Sequence, residues 1–177
     1  MNEFLILVDE ADRPWGKLEK PLVHQLGILH RAFSVFLFNK NGELLMQQRA
    51  DGKYHSAGLW ANTCCSHPQF GEETIDAVVR RLKEEMGLQC EPEFAFSFIY
   101  KATLDNGLAE HEFDHVYFGI SGDLPQPDKR EVKDWKYMKL DKLRAEIHSN
   151  PENYVVWLQI CLEKVMHHFK LYNSKYA

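Results

Sequence analysis

Cysteine is scarce: of the four in 177 residues, Cys64 and Cys65 are adjacent and none lies in a C-x-x-C pair. That argues against a disulfide framework and against a cysteine-rich zinc site, so reduced thiols are expected. Cys90 and Cys161 then read as small buried hydrophobes. Positive charge is short as well. The 21 basic and 26 acidic residues leave a formal charge of −5, which speaks against a broad grip on nucleic acid or on an anionic membrane. Any anionic ligand must be held locally. No apolar run approaches the roughly 20 residues of a membrane span, and the opening "MNEFLILVDEADRPWG" is acidic where a targeting signal would be basic. A soluble, cytoplasmic protein is expected. Repeats, low-complexity runs and Gly/Ser linkers are also missing, so residues 1–177 are expected to form one domain; monomer and homodimer both stay open.

What is present reads as sheet first. "EFLILVD" and "RAFSVFLFN" have strand character, and "NGE" turns the second into "LLMQQR". From Glu73 to Met86, Val78, Val79, Leu82 and Met86 recur at helical spacing, and Gly87 follows where a residue with positive φ is expected. "EFAFSFIYKA" and "HEFDHVYFGI" read as strands joined around "LDNGLA", "WKYMKL" as a short strand, and Leu140 to about Asn150 and about Asn153 to Phe169 as helices. This order predicts an α+β fold, a mixed sheet flanked by helices in an α/β/α sandwich.

The helix carries two charged stripes. Asp76, Arg80 and Glu84 read as a solvated ladder. Ala77, Arg81 and Glu85 lie on another stripe, where a guanidinium and a carboxylate one turn apart suit a phosphate and its bridging cation. "EETIDAVVRRLKEEMG" resembles the signature helix of the Nudix superfamily. Counting back from Gly87, the family pattern is matched at Glu72, Arg80, Leu82, Glu84 and Glu85, with Ser66 in place of the first Gly and Arg81 in place of a Glu. In the hydrolases of that superfamily the missing Glu commonly joins the metal cluster or acts as base. Arg81 cannot be a base at neutral pH.

Three further stretches narrow the resemblance to the type I isopentenyl-diphosphate isomerases: "LEKPLVHQLGILHRAFS", "CCSHP" and "LAEHEFDH". It extends through "YKAT" at Tyr100 to the tryptophan-bearing C-terminal helix, with an N-terminal strand extension ahead of the Nudix-type part. The resemblance implies a second divalent metal, Mn²⁺ or Zn²⁺, on His24, His30, His67, Glu110 and Glu112, a donor set suited to such ions. It implies Mg²⁺ on a substrate diphosphate, held by Glu85 and the main-chain oxygen of Cys65. The diphosphate would be clamped by Lys20, Arg49, Lys53 and Arg81. Cys65 and Glu112, aided by Tyr100, would move protons, and Trp157 would face a carbocation, with Trp60 as a second aromatic. The partner is then a small diphosphate, with neither nucleic acid nor membrane involved.

His24 and His30 stand six apart, one residue closer than in the family pattern. Cys64 reads as a packing residue, Asp114 is unassigned, and His111, His115, His148, His167 and His168 read as ordinary surface or core histidines. Two other readings stay open at this point. One is a Nudix hydrolase of a nucleoside or other diphosphate; the other is a metal-stabilised binding module. Arg81, Cys65 and the E-x-E strand separate them from the isomerase.

Overall fold

The computed structural model describes residues 3–175. Its nine strands are β1 (Phe4–Val8), β2 (Pro14–Glu19), β3 (His30–Phe38), β4 (Leu44–Arg49), β5 (Trp60–Ala61), β6 (Cys64–Ser66), β7 (Glu93–Thr103), β8 (Ala109–Ile120) and β9 (Val132–Met138). Its helices are α1 (Lys20–Leu26), α2 (Thr74–Met86), α3 (Leu140–Ser149) and α4 (Val156–Asn173).

β3 organises the sheet. One edge pairs in parallel with β8 along its full length, and the other meets β1, β6 and β4 in turn, all antiparallel. β8 continues antiparallel into β7, and β4 is flanked by β9 and β5. Side chains alternate along a strand, so β3 feeds two cores. Phe33, Val35 and Leu37 pack with Ala77, Val78, Leu82 and Met86 of α2. Phe36 and Phe38 pack with Trp157, Leu158, Cys161 and Leu162 of α4. Helices on both faces and a mixed sheet are the α+β sandwich that the order of elements predicts.

α2 forms because one stripe is apolar: Val78, Leu82 and Met86 are fully buried, each worth about 1.5–3 kcal/mol of transfer free energy. It stops at Gly87, whose φ of 67° is left-handed and whose N–H reaches Lys83 O. The expected ladder on its outer face is only part of the story. Arg80 makes its short contacts to Glu72 in the preceding loop (2.7 and 2.8 Å) and a weaker one to Glu84 (3.2 Å), so it ties the loop to the helix.

Four elements went unread in the sequence, and one helix start is shifted. α1 is a seven-residue helix whose only buried residues are Val23 and His24, so it carries no apolar stripe to detect. β2, β5 and β6 went unread for a related reason: β2 is six residues long but buries none of them, and strands of two or three residues such as β5 and β6 show no alternation. α4 starts at Val156, three residues late. Pro151–Asn153 is a single 3₁₀ turn, and Val155 N–H then bonds to Trp60 O (3.0 Å) in extended backbone before the helix begins.

Candidate active site

The site grows out of one cross-strand row. The β3–β8 register sets His30 beside Glu112, and the β8–β7 register sets Glu112 beside Tyr100. Tyr100 donates to Glu112 Oε2 at 2.7 Å, while Glu112 Oε1 lies 3.6 Å from His30 Nε2 and 3.0 Å from His67 Nε2. The same face of β8 carries Glu110, Glu112 and Asp114 at one end and Val116 and Phe118, both core residues, at the other. A row of carboxylates thus continues the apolar row inward, with Glu110 3%, Glu112 8% and Asp114 0% exposed. So much buried negative charge requires a compensating cation or proton.

His24, His30, His67 and Glu110 supply that requirement with a metal-binding geometry: one ligand atom from each lies within 4.8 Å of all the others, and all four residues are buried. The tautomers fit a metal. His24 Nδ1 stands 2.7 Å from Lys20 O and His30 Nδ1 2.9 Å from Ile28 O. A carbonyl only accepts, so both Nδ1 atoms carry the proton and both Nε2 atoms present lone pairs. His30 Nε2 and His67 Nε2 face each other at 3.2 Å, and His24 Nε2 and Glu110 Oε2 are buried without a hydrogen-bond partner. The lone pairs of His24 and His30 converge with Glu110 and His67 on one point, which suits a divalent cation. Glu112 lies next to this group of four, through Oε1.

Electrostatics separate the members. Burial holds the His67 imidazole down to about 4. Burial also works to raise Glu112, but the His30 and His67 imidazoles close against it override that and hold the carboxyl well below its usual range. Burial and the charge of Glu112 push Glu110 up and Asp114 far up. They do the same to Tyr100.

The adjacent cysteines are divided by strand alternation. β6 pairs with β3 at Val35↔Cys64 and Ser34↔Cys65, so the two side chains leave on opposite faces. Cys64 is fully buried in the α2 core. Cys65 turns into a cavity, where its thiol donates to Asn62 Oδ1 (2.9 Å) and Trp157 Nε1–H points at its sulfur (3.2 Å). Ser34 Oγ lies 3.8 Å from that sulfur and donates to Asp114 Oδ2 (2.8 Å). Burial, then the Asp114 charge, push the Cys65 thiol up, so it keeps its proton.

The cavity, of about 110 Å³, is lined by Lys20, Arg49, Lys53, Cys65, His67, Arg81, Glu85, Tyr100, Glu110, Glu112 and Trp157. Of the residues singled out from sequence for the site, His24 and His30 stand behind it as part of the metal group, and Trp60 lies away from it. Glu85 is buried, taking Arg81 Nη2 on one oxygen (2.7 Å) and Gln47 Nε2 on the other (3.1 Å). Lys53 pairs with Glu131, and Lys20 with Glu3 (3.1 Å). Arg81 Nε is buried without a partner. Trp60 is not at the site: Lys136 Nζ covers its ring at 3.9 Å. Sequence reasoning passed over His55, Tyr54 and Phe33 on the cavity wall, and Asn62 and Ser34 behind the thiol. His55 had a signal, a titratable residue two positions from Lys53; Phe33 had none.

The NUDIX domain family matches residues 28–158. The isopentenyl-diphosphate Delta-isomerase 2 of Aromatoleum aromaticum is 49% identical over 166 residues, 94% of this chain and 88% of that protein. The isopentenyl-diphosphate Delta-isomerase of Pectobacterium atrosepticum is 46% identical over 171 residues, covering 97% and 96%. Among solved structures, DR0079 from Deinococcus radiodurans superposes with a TM-score of 0.77 at 20% identity, over 92% of this chain and 98% of that one, a likeness of fold. The chain belongs to the Nudix family and, within it, to the isopentenyl-diphosphate Delta-isomerases.

Proposed function

We propose that the chain, acting as one domain in the cytoplasm, interconverts isopentenyl diphosphate and dimethylallyl diphosphate, with Cys65 and Glu112 carrying the protons. Moving the double bond means adding a proton at one carbon and removing one from another, through a tertiary carbocation. Two proton-carrying groups are therefore required beside one small apolar space. The observation that carries the reading is that Cys65 and Glu112 line one cavity, the thiol held protonated and the carboxyl ionised.

Arg49, Lys53, Arg81 and Lys20 lie on the cavity wall, where they would grip the diphosphate, and Glu85, with the main-chain oxygen of Cys65, would hold its Mg²⁺. His24, His30, His67, Glu110 and Glu112 would hold the second ion, Mn²⁺ or Zn²⁺ by donor type. When bound, that ion supplies positive charge that makes a proton on Glu112 more acidic. Tyr100 orients Glu112 through Oε2, and Trp157 offers its ring to the carbocation and its N–H to the sulfur.

A direct comparison tests this. Purified protein with Mg²⁺ should turn isopentenyl diphosphate into the allylic isomer and release little phosphate from nucleoside diphosphates. Fast phosphate release without isomerisation would replace the reading with a hydrolase.

A further inference from the structure

His55 is buried on the cavity wall, at 8% exposure, and the roles above leave it unused. Its Nε2 faces Glu110 Oε1 at 3.4 Å, whereas the other oxygen, Glu110 Oε2, turns to His24 Nε2 (3.2 Å) and His30 Nε2 (4.0 Å). The Glu110 carboxylate is thus divided, one oxygen toward the metal group and one toward His55. His55 lies outside the group of four whose atoms converge within 4.8 Å. Its other nitrogen, Nδ1, stands 3.3 Å from Ser56 Oγ, a hydroxyl able to donate to it, and in that tautomer the ring proton sits on Nε2, facing Glu110.

The loop is built to aim that ring. Ser56 sits at φ 51°, a left-handed conformation that a residue with a side chain adopts at a cost. Arg49 fixes it there, its Nη2 donating to His55 O and its Nε to Ser56 O, both at 3.1 Å. The rings of Tyr54 and Trp157 stand edge-on to the imidazole, with centroids 4.5 and 6.2 Å away. Backbone strain, two main-chain clamps and two aromatic neighbours all serve one orientation.

We infer that His55 is a positioning residue of the metal centre, holding Glu110 Oε1 so that Oε2 is presented to the ion. The inference rests on the metal reading of His24, His30, His67 and Glu110. It also couples the two halves of the site: the guanidinium assigned to the diphosphate braces the backbone of the residue that orients a metal ligand.

The test is Mn²⁺ affinity, measured by titration of the metal-stripped full chain, on the parent, His55→Ala, His55→Asn, His55→Gln and His24→Ala, each checked by its thermal melt. Glutamine places an N–H where Nε2 was; asparagine falls a methylene short. His55→Ala and His55→Asn should bind Mn²⁺ about 10- to 100-fold more weakly, the range for losing an outer partner of a metal ligand, and His55→Gln should return most of it. Parent-like affinity in His55→Asn, or His55→Gln as weak as His55→Asn, would overturn the positioning role. His24→Ala separates the two claims. If it too keeps parent affinity, the metal site itself is elsewhere and the inference falls with it.

Discussion

Cys64 and Cys65 differ only in which side of a three-residue strand they leave from, and that difference sets opposite expectations for their variants. Cys65→Ser should lower turnover at least about a hundredfold, as expected when a positioned proton carrier is lost. Cys64→Ala should keep near-parent turnover and cost about 1–2 kcal/mol of stability for the cavity left in the α2 core, read by denaturant midpoint. If Cys64 proves the sensitive thiol, the assignment is wrong by one residue. The two carboxylates separate in the same way. Glu112→Gln should keep much of its metal, with about tenfold weaker affinity, and lose nearly all isomerisation; Glu110→Gln should lose activity in step with metal and regain part of it at saturating Mn²⁺. Equal activities of the two at saturating metal would move proton transfer to another group, Tyr100 first. These residues were legible because ligand-type side chains cluster in short motifs. Asn62 and Ser34 were not, since their importance arises from a hydrogen bond and a sulfur contact to Cys65.

At the scale of elements, α2 and its entry loop carry the clearest stability predictions. The Arg80 guanidinium, hydrogen-bonded to Glu72, holds that carboxyl below its usual value. A depressed folded-state pKa stabilises above the unfolded value and ceases to as pH falls through the folded one. Glu72→Gln should therefore cost about 0.5–1.5 kcal/mol at pH 7, and parent and variant should converge toward pH 3. A gap that persists unchanged in acid would show that the pair contributes no charge-dependent stability. Gly87→Ala is a backbone test: φ is 67°, and a Cβ there would lie 2.5 Å from Gln126 O, so a loss of about 2 kcal/mol or more is expected by thermal melt. α2, β3 and β8 could be read from sequence because each buries a long periodic face. α1 could not: it is short and exists to place His24, and its signal is a Pro near the start and a left-handed Gly27 at the end.

For the whole molecule, the N-terminal elements matter because the metal group draws His24 from α1, His30 from β3, His67 from the segment after β6 and Glu110 from β8. An ion there would tie four distant segments together. Removing it with a chelator should abolish activity and lower the melting temperature, by the equivalent of about 4 kcal/mol if the ion had been present at a thousand times its dissociation constant, and Mn²⁺ should restore both. The sheet and its flanking helices were readable from the order of elements, whereas the convergence of those segments was implied only by family resemblance, because register across three strands leaves no local trace in a single sequence. The most direct test of the account is the product formed from isopentenyl diphosphate in ²H₂O, followed by NMR. If the group that adds the proton exchanges with solvent before each turnover, the dimethylallyl product carries deuterium in a methyl group, and the Cys65→Ser and Glu112→Gln proteins form almost none of it. A product free of deuterium, or phosphate released with no allylic product, would contradict it.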